Sequence, residues 1–373
     1  MRILLIGDYS NYHRCLAGAL RRLGHDVTVV SSGDKINTER DIDTARRLPG
    51  KLGGIELWFR LCTTLAPKLK GYDIVQINSP IFVHLRPHRV RQLFDRLKRN
   101  NKAVYLSAMG TDTTTIDLCT DPSMPLRYNE WMINGQPSSL YNADYKRIEA
   151  WRNPPLSTHC DYIYSNIDGA ITALYEYSLA CSRVLPADKI GYAGIPIDTE
   201  TITPIEINPH PDKVKLFLGM KTPRMLEKGT DRILAAAKKT VELHPDKCQL
   251  EIVEDLPYVE YLERMKNAHI VLDQLYSFTP ATNALLSMAY GIPTGSGAEP
   301  EYYDFIGEYE NRPIINLEPD DEQLFMTIED FVLHPERIAE IGRRSREFVV
   351  KHNDSITVAQ RFIDFWNKPQ LQK

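Results

Sequence analysis

The stretch DQLYSFTPATNALLSMAYGIPTGSGAEPE, Asp273 to Glu301, reads as the end of a buried strand, a capped helix start, a buried helix and a glycine turn. Thr279 suits the N-cap and Pro280 the first helical position, where its missing N–H has no intrahelical partner anyway. The free N–H groups of Ala281 to Asn283 are then expected to point beyond the strand Ile270 to Leu272, where the helix dipole favours an anion such as a diphosphate. Thr282 and Asn283 add polar side chains to that first turn. An ordinary strand–loop–helix unit with a well-made cap carries the same signature, so the stretch fixes a local fold and leaves the ligand open.

Outward from this stretch, short apolar runs alternate with helical patterns, which predicts parallel sheets with crossover helices. Ile3 to Ile6 is a first buried strand, His13 to Leu23 its helix closed by Gly24, and Asp26 to Val30 a second strand. Asp73 to Ile77 and Ala103 to Ser107 continue the series. Cys119 to Pro155, rich in Pro, Asn, Tyr and Ser, reads as an excursion with short helices. Framework returns with Tyr162 to Ser165 and Gly169 to Leu174. Gly194 to Asp212 holds four prolines and few periodic apolar residues, the signature of a linker. A second alternation runs from Val214 to about Ile315, and an amphipathic, aromatic helix near Ser355 to Trp366 closes the chain.

Together with LGMKTPRMLEKGTDRIL (Leu218 to Leu234), AHIVLDQLY (Ala268 to Tyr276), the turn Met288-Ala289-Tyr290-Gly291 and the pair Pro300-Glu301, the opening stretch resembles the donor-binding half of the retaining glycosyltransferases of the GT-B fold, family 4 type (glycosyl transferases group 1). The resemblance implies an α/β fold of two doubly wound Rossmann-like domains facing each other across a cleft. It implies an N-terminal acceptor domain over 1–196, a linker over 197–213, a nucleotide-sugar domain over 214–350 and a C-terminal helix over 351–373 that packs back on the N-terminal domain. The activity implied is transfer of a hexose from a nucleotide-sugar to a hydroxyl acceptor, a glycan or lipid-linked saccharide, with retention of configuration. No cofactor is implied, the nucleotide-sugar being substrate. One departure is plain: the glutamate pair usual around this helix start falls on Phe278 and Leu286, whose side chains accept no hydrogen bond. A non-catalytic nucleotide-sugar or carbohydrate-binding relative is therefore the rival reading. A sugar epimerase or phosphorylase has no dedicated motif here.

Lys228, in a loop opening a helix with Gly229 behind it and Arg224 four residues before, is placed to meet a diphosphate as the leaving nucleotide gains charge. A surface helix start with solvated charges has the same residues. Arg224, Lys228, Thr279, Thr282, Asn283 and Glu301 are thus the donor-side candidates. Asp112, in Ser107-Ala108-Met109-Gly110-Thr111-Asp112 after an apolar strand, either orients or deprotonates an acceptor hydroxyl or caps a helix. Gly7-Asp8-Tyr9-Ser10-Asn11-Tyr12-His13 carries one glycine and not the GxGxxG that lets a backbone approach a dinucleotide pyrophosphate, which argues against an NAD or FAD enzyme. Asp8, Asn11 and His13 are acceptor-side candidates, or else a solvated turn and helix start. His159-Cys160-Asp161 lacks a second cluster at ligand spacing and reads as local structure. No acidic DxD triplet follows a buried strand, the nearest being Asp41-Ile42-Asp43, so no metal site is expected.

The bounds agree. A chain of 373 residues with 43% hydrophobic and 25% charged residues can fill two cores. A net charge of −4 argues against general nucleic-acid binding. The cysteines, Cys15, Cys62, Cys119, Cys160, Cys181 and Cys248, form no CxxC pair and follow no signal peptide, so reduced thiols in the cytoplasm are expected. No run of about 18 apolar residues occurs, so any membrane contact is peripheral. The one strongly basic segment, Arg86 to Lys102, forms a helix with Val90, Leu93, Phe94 and Leu97 inward. Its Arg89, Arg91, Arg96 and Arg99 either meet anionic lipid at the inner membrane face or form a solvated crossover face.

Overall fold

The structure, a computed structural model, describes residues 1–33 and 39–368. The chain divides into two compact units: Met1–Leu118 with Tyr145–Pro196 and Ser355 onward, and Cys119–Asp144 with Ile197–Asp354. In chain order the strands are β1 (Arg2–Ile6), β2 (Asp26–Ser31), β3 (Ile42–Asp43), β4 (Ile74–Ile77), β5 (Ala103–Ala108), β6 (Met132–Ile133), β7 (Gln136–Pro137), β8 (Gly169–Thr172), β9 (Ile190–Tyr192), β10 (Val214–Met220), β11 (Cys248–Glu254), β12 (Ile270–Leu272), β13 (Thr294–Ser296) and β14 (Ile315–Asn316). The central strands are short continuous runs of Ile, Leu and Val because both of their faces are covered, as parallel sheets require.

The first unit carries a parallel sheet in the order β3-β2-β1-β4-β5-β8-β9. Leu4, Ile6, Val75, Ile77, Val104 and Leu106 pack with Leu57 and Leu61 of the helix Gly50–Cys62 and with Val90, Leu93, Phe94 and Leu97 of the helix Pro87–Asn100. On the opposite side the helix Ser355–Trp366 sets Phe362 edge-on to Tyr12 at 6.4 Å and Phe365 edge-on to Tyr105 at 5.9 Å.

One buried polar chain ties these layers. His13 Nδ1 donates to Gly7 O at 2.6 Å, which leaves Nε2 to accept from Ser107 Oγ at 3.0 Å. Ser107 Oγ accepts from Gln76 Nε2 at 3.0 Å, and Gln76 Oε1 accepts from Trp366 Nε1 at 3.0 Å. Every member is matched, as a buried network needs. Gly7 has φ 82°, and a Cβ there would fall 2.1 Å from Asn78 Oδ1, so only glycine closes this loop.

The second unit carries a five-stranded parallel sheet in the order β11-β10-β12-β13-β14. Alternate residues feed two cores. Leu216, Leu218, Ile270 and Leu272 meet Ile233 and Ala237 of the helix Thr230–Leu243 and Leu324 and Ile328 of the helix Asp321–Leu333, whereas Phe217 and Val271 meet Met265 and Ile292. This sheet is therefore wound on both faces.

Several expectations change. Tyr162 to Ser165 lies within the helix Leu156–Asn166 and not in a strand. Residues 119–144 lie with the second unit, although they come between elements of the first. Asp112 is a helix cap: Oδ1 accepts from Thr115 N at 3.0 Å and Thr114 Oγ1 at 2.7 Å, and Oδ2 accepts from Tyr164 Oη at 2.7 Å. Both oxygens being engaged, it offers no free base. His13 is likewise a buried structural residue and not an acceptor contact.

Burial pushes the His13 pKa from 6.5 down to about 4. Above pH 6.5 the folded and unfolded chains both hold it neutral. As pH falls from 6.5 toward 4 only the unfolded chain takes up the proton, so stability falls, by up to about 3 kcal/mol. Thermal unfolding across this range is expected to show a drop in the parent that His13→Gln flattens; parallel profiles would remove His13 as its source.

Candidate functional site

In the second sheet the strand order reverses between β10 and β12. The helices that follow those strands pack on opposite faces of the sheet, and open α/β sheets bind ligands at such a switch point. The β10 loop makes a tight turn over Thr222–Arg224, a single helical turn over Met225–Lys228, and then enters the helix Thr230–Leu243 through Gly229. Gly229 has φ 67°, and a Cβ there would lie 2.9 Å from Leu275 Cδ1 and 3.0 Å from its Cβ. Glycine alone lets the β10 and β12 loops touch, and Leu275 N donates to Lys228 O at 2.9 Å.

That contact brings charges together. Lys228 Nζ lies 3.5 Å from Oδ1 of Asp273, the residue that directly follows β12 and is 2% exposed. Asn283 Nδ2 donates to the same oxygen at 3.0 Å, and Tyr261 Oη donates to Asn283 Oδ1 at 2.8 Å. Burial raises the Tyr261 pKa, with the Asp273 charge adding to it, so the hydroxyl stays protonated as a donor. Asp273 N donates to Gly295 O at 2.8 Å, which carries the β12–β13 ladder one step further and sets Asp273 opposite Ser296. Asp273 Oδ2 and Ser296 Oγ are both buried and have no partner among the described residues. Two unmatched oxygens at adjacent strand ends are costly in a finished core.

The predicted donor residues fare differently. Lys228 and Asn283 meet at Asp273, and Thr282 opens the helix Thr282–Ala289, whose N-cap is Ala281. Thr279 is not the cap: Phe278 O accepts from Glu299 N at 3.1 Å, which holds the preceding segment in a buried loop and delays the helix by two residues. Arg224 is largely exposed and pairs with Glu227 at 3.0 Å. Glu301 pairs with Arg127. In the first unit, Asp8 Oδ1 accepts from His13 N at 2.9 Å and Asn11 sits in the left-handed region at the start of the helix Tyr12–Arg22, so both help build the loop. His159 Nε2 binds Pro80 O at 2.8 Å, a local role. Among the described residues no group of three His, Cys, Asp or Glu side chains could hold a metal.

A second polar cluster stands in the same unit. Glu299, 1% exposed, accepts from Arg127, from Tyr128 Oη and from Asn316 Nδ2 at 2.8 Å. The Arg127 guanidinium also lies 5.2 Å from the Phe278 ring centre, and the Tyr128 ring tilts on Phe278 at 5.0 Å. Burial and the charge of Glu299 raise the pKa of Glu318 nearby. Phe278 is thus packed under the 119–144 segment, and half-buried Leu286 joins the Phe217 core. Asp273, Ser296, Tyr261, Arg127 and Glu299 escaped sequence reasoning. Only Asp273 gave a signal, as a carboxylate directly after a buried three-residue strand.

No protein-family model matches the sequence, and no curated protein sequence does. Solved structures do. Sucrose-phosphate synthase from Thermosynechococcus elongatus superposes with a TM-score of 0.62 at 12% identity, over 99% of each chain. Anabaena HepE in complex with UDP-glucose gives 0.57 at 11% identity over 98% of this chain and 99% of its own. A glycosyltransferase from Rickettsia africae gives 0.54 at 12% over 100% and 98%. The chain has the GT-B fold. Its two Rossmann-like units are those described above, and the Lys228–Asp273 cluster occupies the switch point of the second GT-B sheet.

Arg127→Met leaves the buried Glu299 carboxylate without its cation. Breaking a buried pair costs about 3–5 kcal/mol, less here because the guanidinium is half-exposed, so a loss of about 2 kcal/mol in urea unfolding is expected, with part returned by Arg127→Lys. An unchanged midpoint would show that the 119–144 segment is held by other contacts.

Proposed function

We propose that this GT-B chain is a retaining hexosyltransferase of the family 4 type, moving a hexose from a nucleotide-sugar to a hydroxyl of a glycan or lipid-linked saccharide. The observation that carries the reading is the cluster of Lys228, Asp273 and Asn283 at the switch point, with Asp273 Oδ2 and Ser296 Oγ buried and unmatched. Lys228, with Arg224 reorienting from Glu227 and the first turn at Thr282 and Asn283 beside it, meets the diphosphate as the leaving nucleotide gains charge. Asp273 Oδ2, unsuited to a phosphate, accepts from donor hydroxyls. Asp112 has no part in it, being a cap. The reaction runs without a metal in this reading, in the cytoplasm or at the inner membrane face, where the basic helix Pro87–Asn100 meets lipid.

A specific observation favours the rival, a binder without turnover: Phe278, which takes a glutamate position of the resemblance, lies under Tyr128 and Arg127. Nucleotide release from UDP-, GDP- and ADP-sugars separates the two. Release is expected from at least one donor, unaffected by EDTA, and lowered about 10²–10³-fold by Lys228→Ala when assayed at a temperature where the variant is still folded. Donor binding without release would favour the binder; absence of binding to any donor would end both readings.

A further inference from the structure

The helix Gly50–Cys62 turns Leu57 and Leu61 into the core of the first unit and leaves its opposite face bare. Leu52, Ile55 and Phe59, at helical spacing, are 63%, 65% and 65% exposed, and Leu48 just before the helix is 48% exposed. A Cβ at Gly53 would fall 1.9 Å from Leu48 O, so the segment carrying Leu48 lies against the first helical turn and extends the ridge. A row of four large apolar side chains in water calls for a cover.

The surroundings say what covers it. Arg46, Arg47 and Lys51 are exposed beside the ridge. Trp58 of the same helix has Arg89 and Arg96 of the helix Pro87–Asn100 over its ring at 4.7 and 5.1 Å, and Arg99 is exposed beyond them. Not all of that basic helix contributes: Arg91 stacks on Tyr162 at 3.4 Å and Lys98 pairs with Asp168 at 2.8 Å. The nearby acids are engaged, Glu56 by Arg60 and Asp95 by Tyr162 Oη. An apolar ridge rimmed by cations suits an interfacial helix. A second copy fits poorly, because a two-fold contact would set this cationic patch against itself.

We propose that the helix Gly50–Cys62 is a membrane-docking element: Leu48, Leu52, Ile55 and Phe59 enter the acyl boundary of an anionic bilayer while Arg89, Arg96 and Arg99 meet lipid headgroups. No described helix is long and apolar enough to cross a membrane, so the contact lies in the plane of the interface. It deepens the membrane-face part of the proposed reading, and because flotation and nucleotide release are read separately, either can fail without the other.

Flotation with phosphatidylcholine vesicles, with and without phosphatidylglycerol, tests it. Binding to the anionic vesicles at low salt is expected, weakening with salt by about fivefold in partitioning for each cation screened. Leu52→Ser, Ile55→Ser and Phe59→Ser combined should cost at least about tenfold at unchanged melting temperature, since these side chains are already exposed. Phe59→Ser alone should show part of that loss. Arg89→Gln, Arg96→Gln and Arg99→Gln combined should flatten the salt dependence. Failure of the parent to float at low salt, equal binding by the serine variant, or a solution dimer that this variant makes monomeric would each overturn the proposal.

Discussion

The ion pair between Lys228 and Asp273 joins the two loops that part where the second sheet reverses its strand order. Neither residue would be there without the backbone beneath it. Gly229 permits the loops to touch, and β12 stops after three residues, so that Asp273 arrives at the carboxyl edge still buried. At 3.5 Å the pair is long for a charge-assisted contact, and it leaves the lysine free to turn toward a second anion. Asn283, oriented by Tyr261, fixes the other side of the same oxygen. The carboxylate is thus held with one oxygen occupied and one waiting, a division of labour suited to a ligand that carries both phosphates and hydroxyls.

Glu299 performs a comparable service for the unit as a whole. Its buried carboxylate draws in Arg127 and Tyr128 from a segment that leaves the chain between two elements of the other unit. That segment lays an aromatic ring and a guanidinium on Phe278, next to the loop that leads into the helix Thr282–Ala289. The side chains that the resemblance leads one to expect as glutamates are therefore part of the packing. At the strand ends beside them, Asp273 Oδ2 and Ser296 Oγ are buried and without a partner among the described residues.

The framework was legible because its physics is local. Runs such as Ile3 to Ile6 and Ile270 to Leu272 read as covered strands and are so, and the closing helix Ser355–Trp366 begins and ends where its amphipathic pattern does. Loop and helix-start chemistry pointed to Lys228 and Asn283, which the fold brings together on Asp273. Thr279 misled because its capping propensity was overridden by a long-range bond from Glu299 N to Phe278 O. Asp112 and His13 looked reactive because a strand end is where reactive groups sit, yet each is consumed by a helix start or a buried network that only the folded chain reveals. Arg127 and Glu299 lie 172 positions apart, and nothing in either neighbourhood announces the other.

A structure with a bound nucleotide-sugar tests the central claim most directly. The switch-point account predicts the diphosphate within hydrogen-bonding distance of Lys228 Nζ, and a donor hydroxyl on Asp273 Oδ2. A nucleotide-sugar lodged away from the carboxyl ends of β10 and β12, with the Lys228–Asp273 pair undisturbed and Asp273 Oδ2 still unmatched, would contradict it.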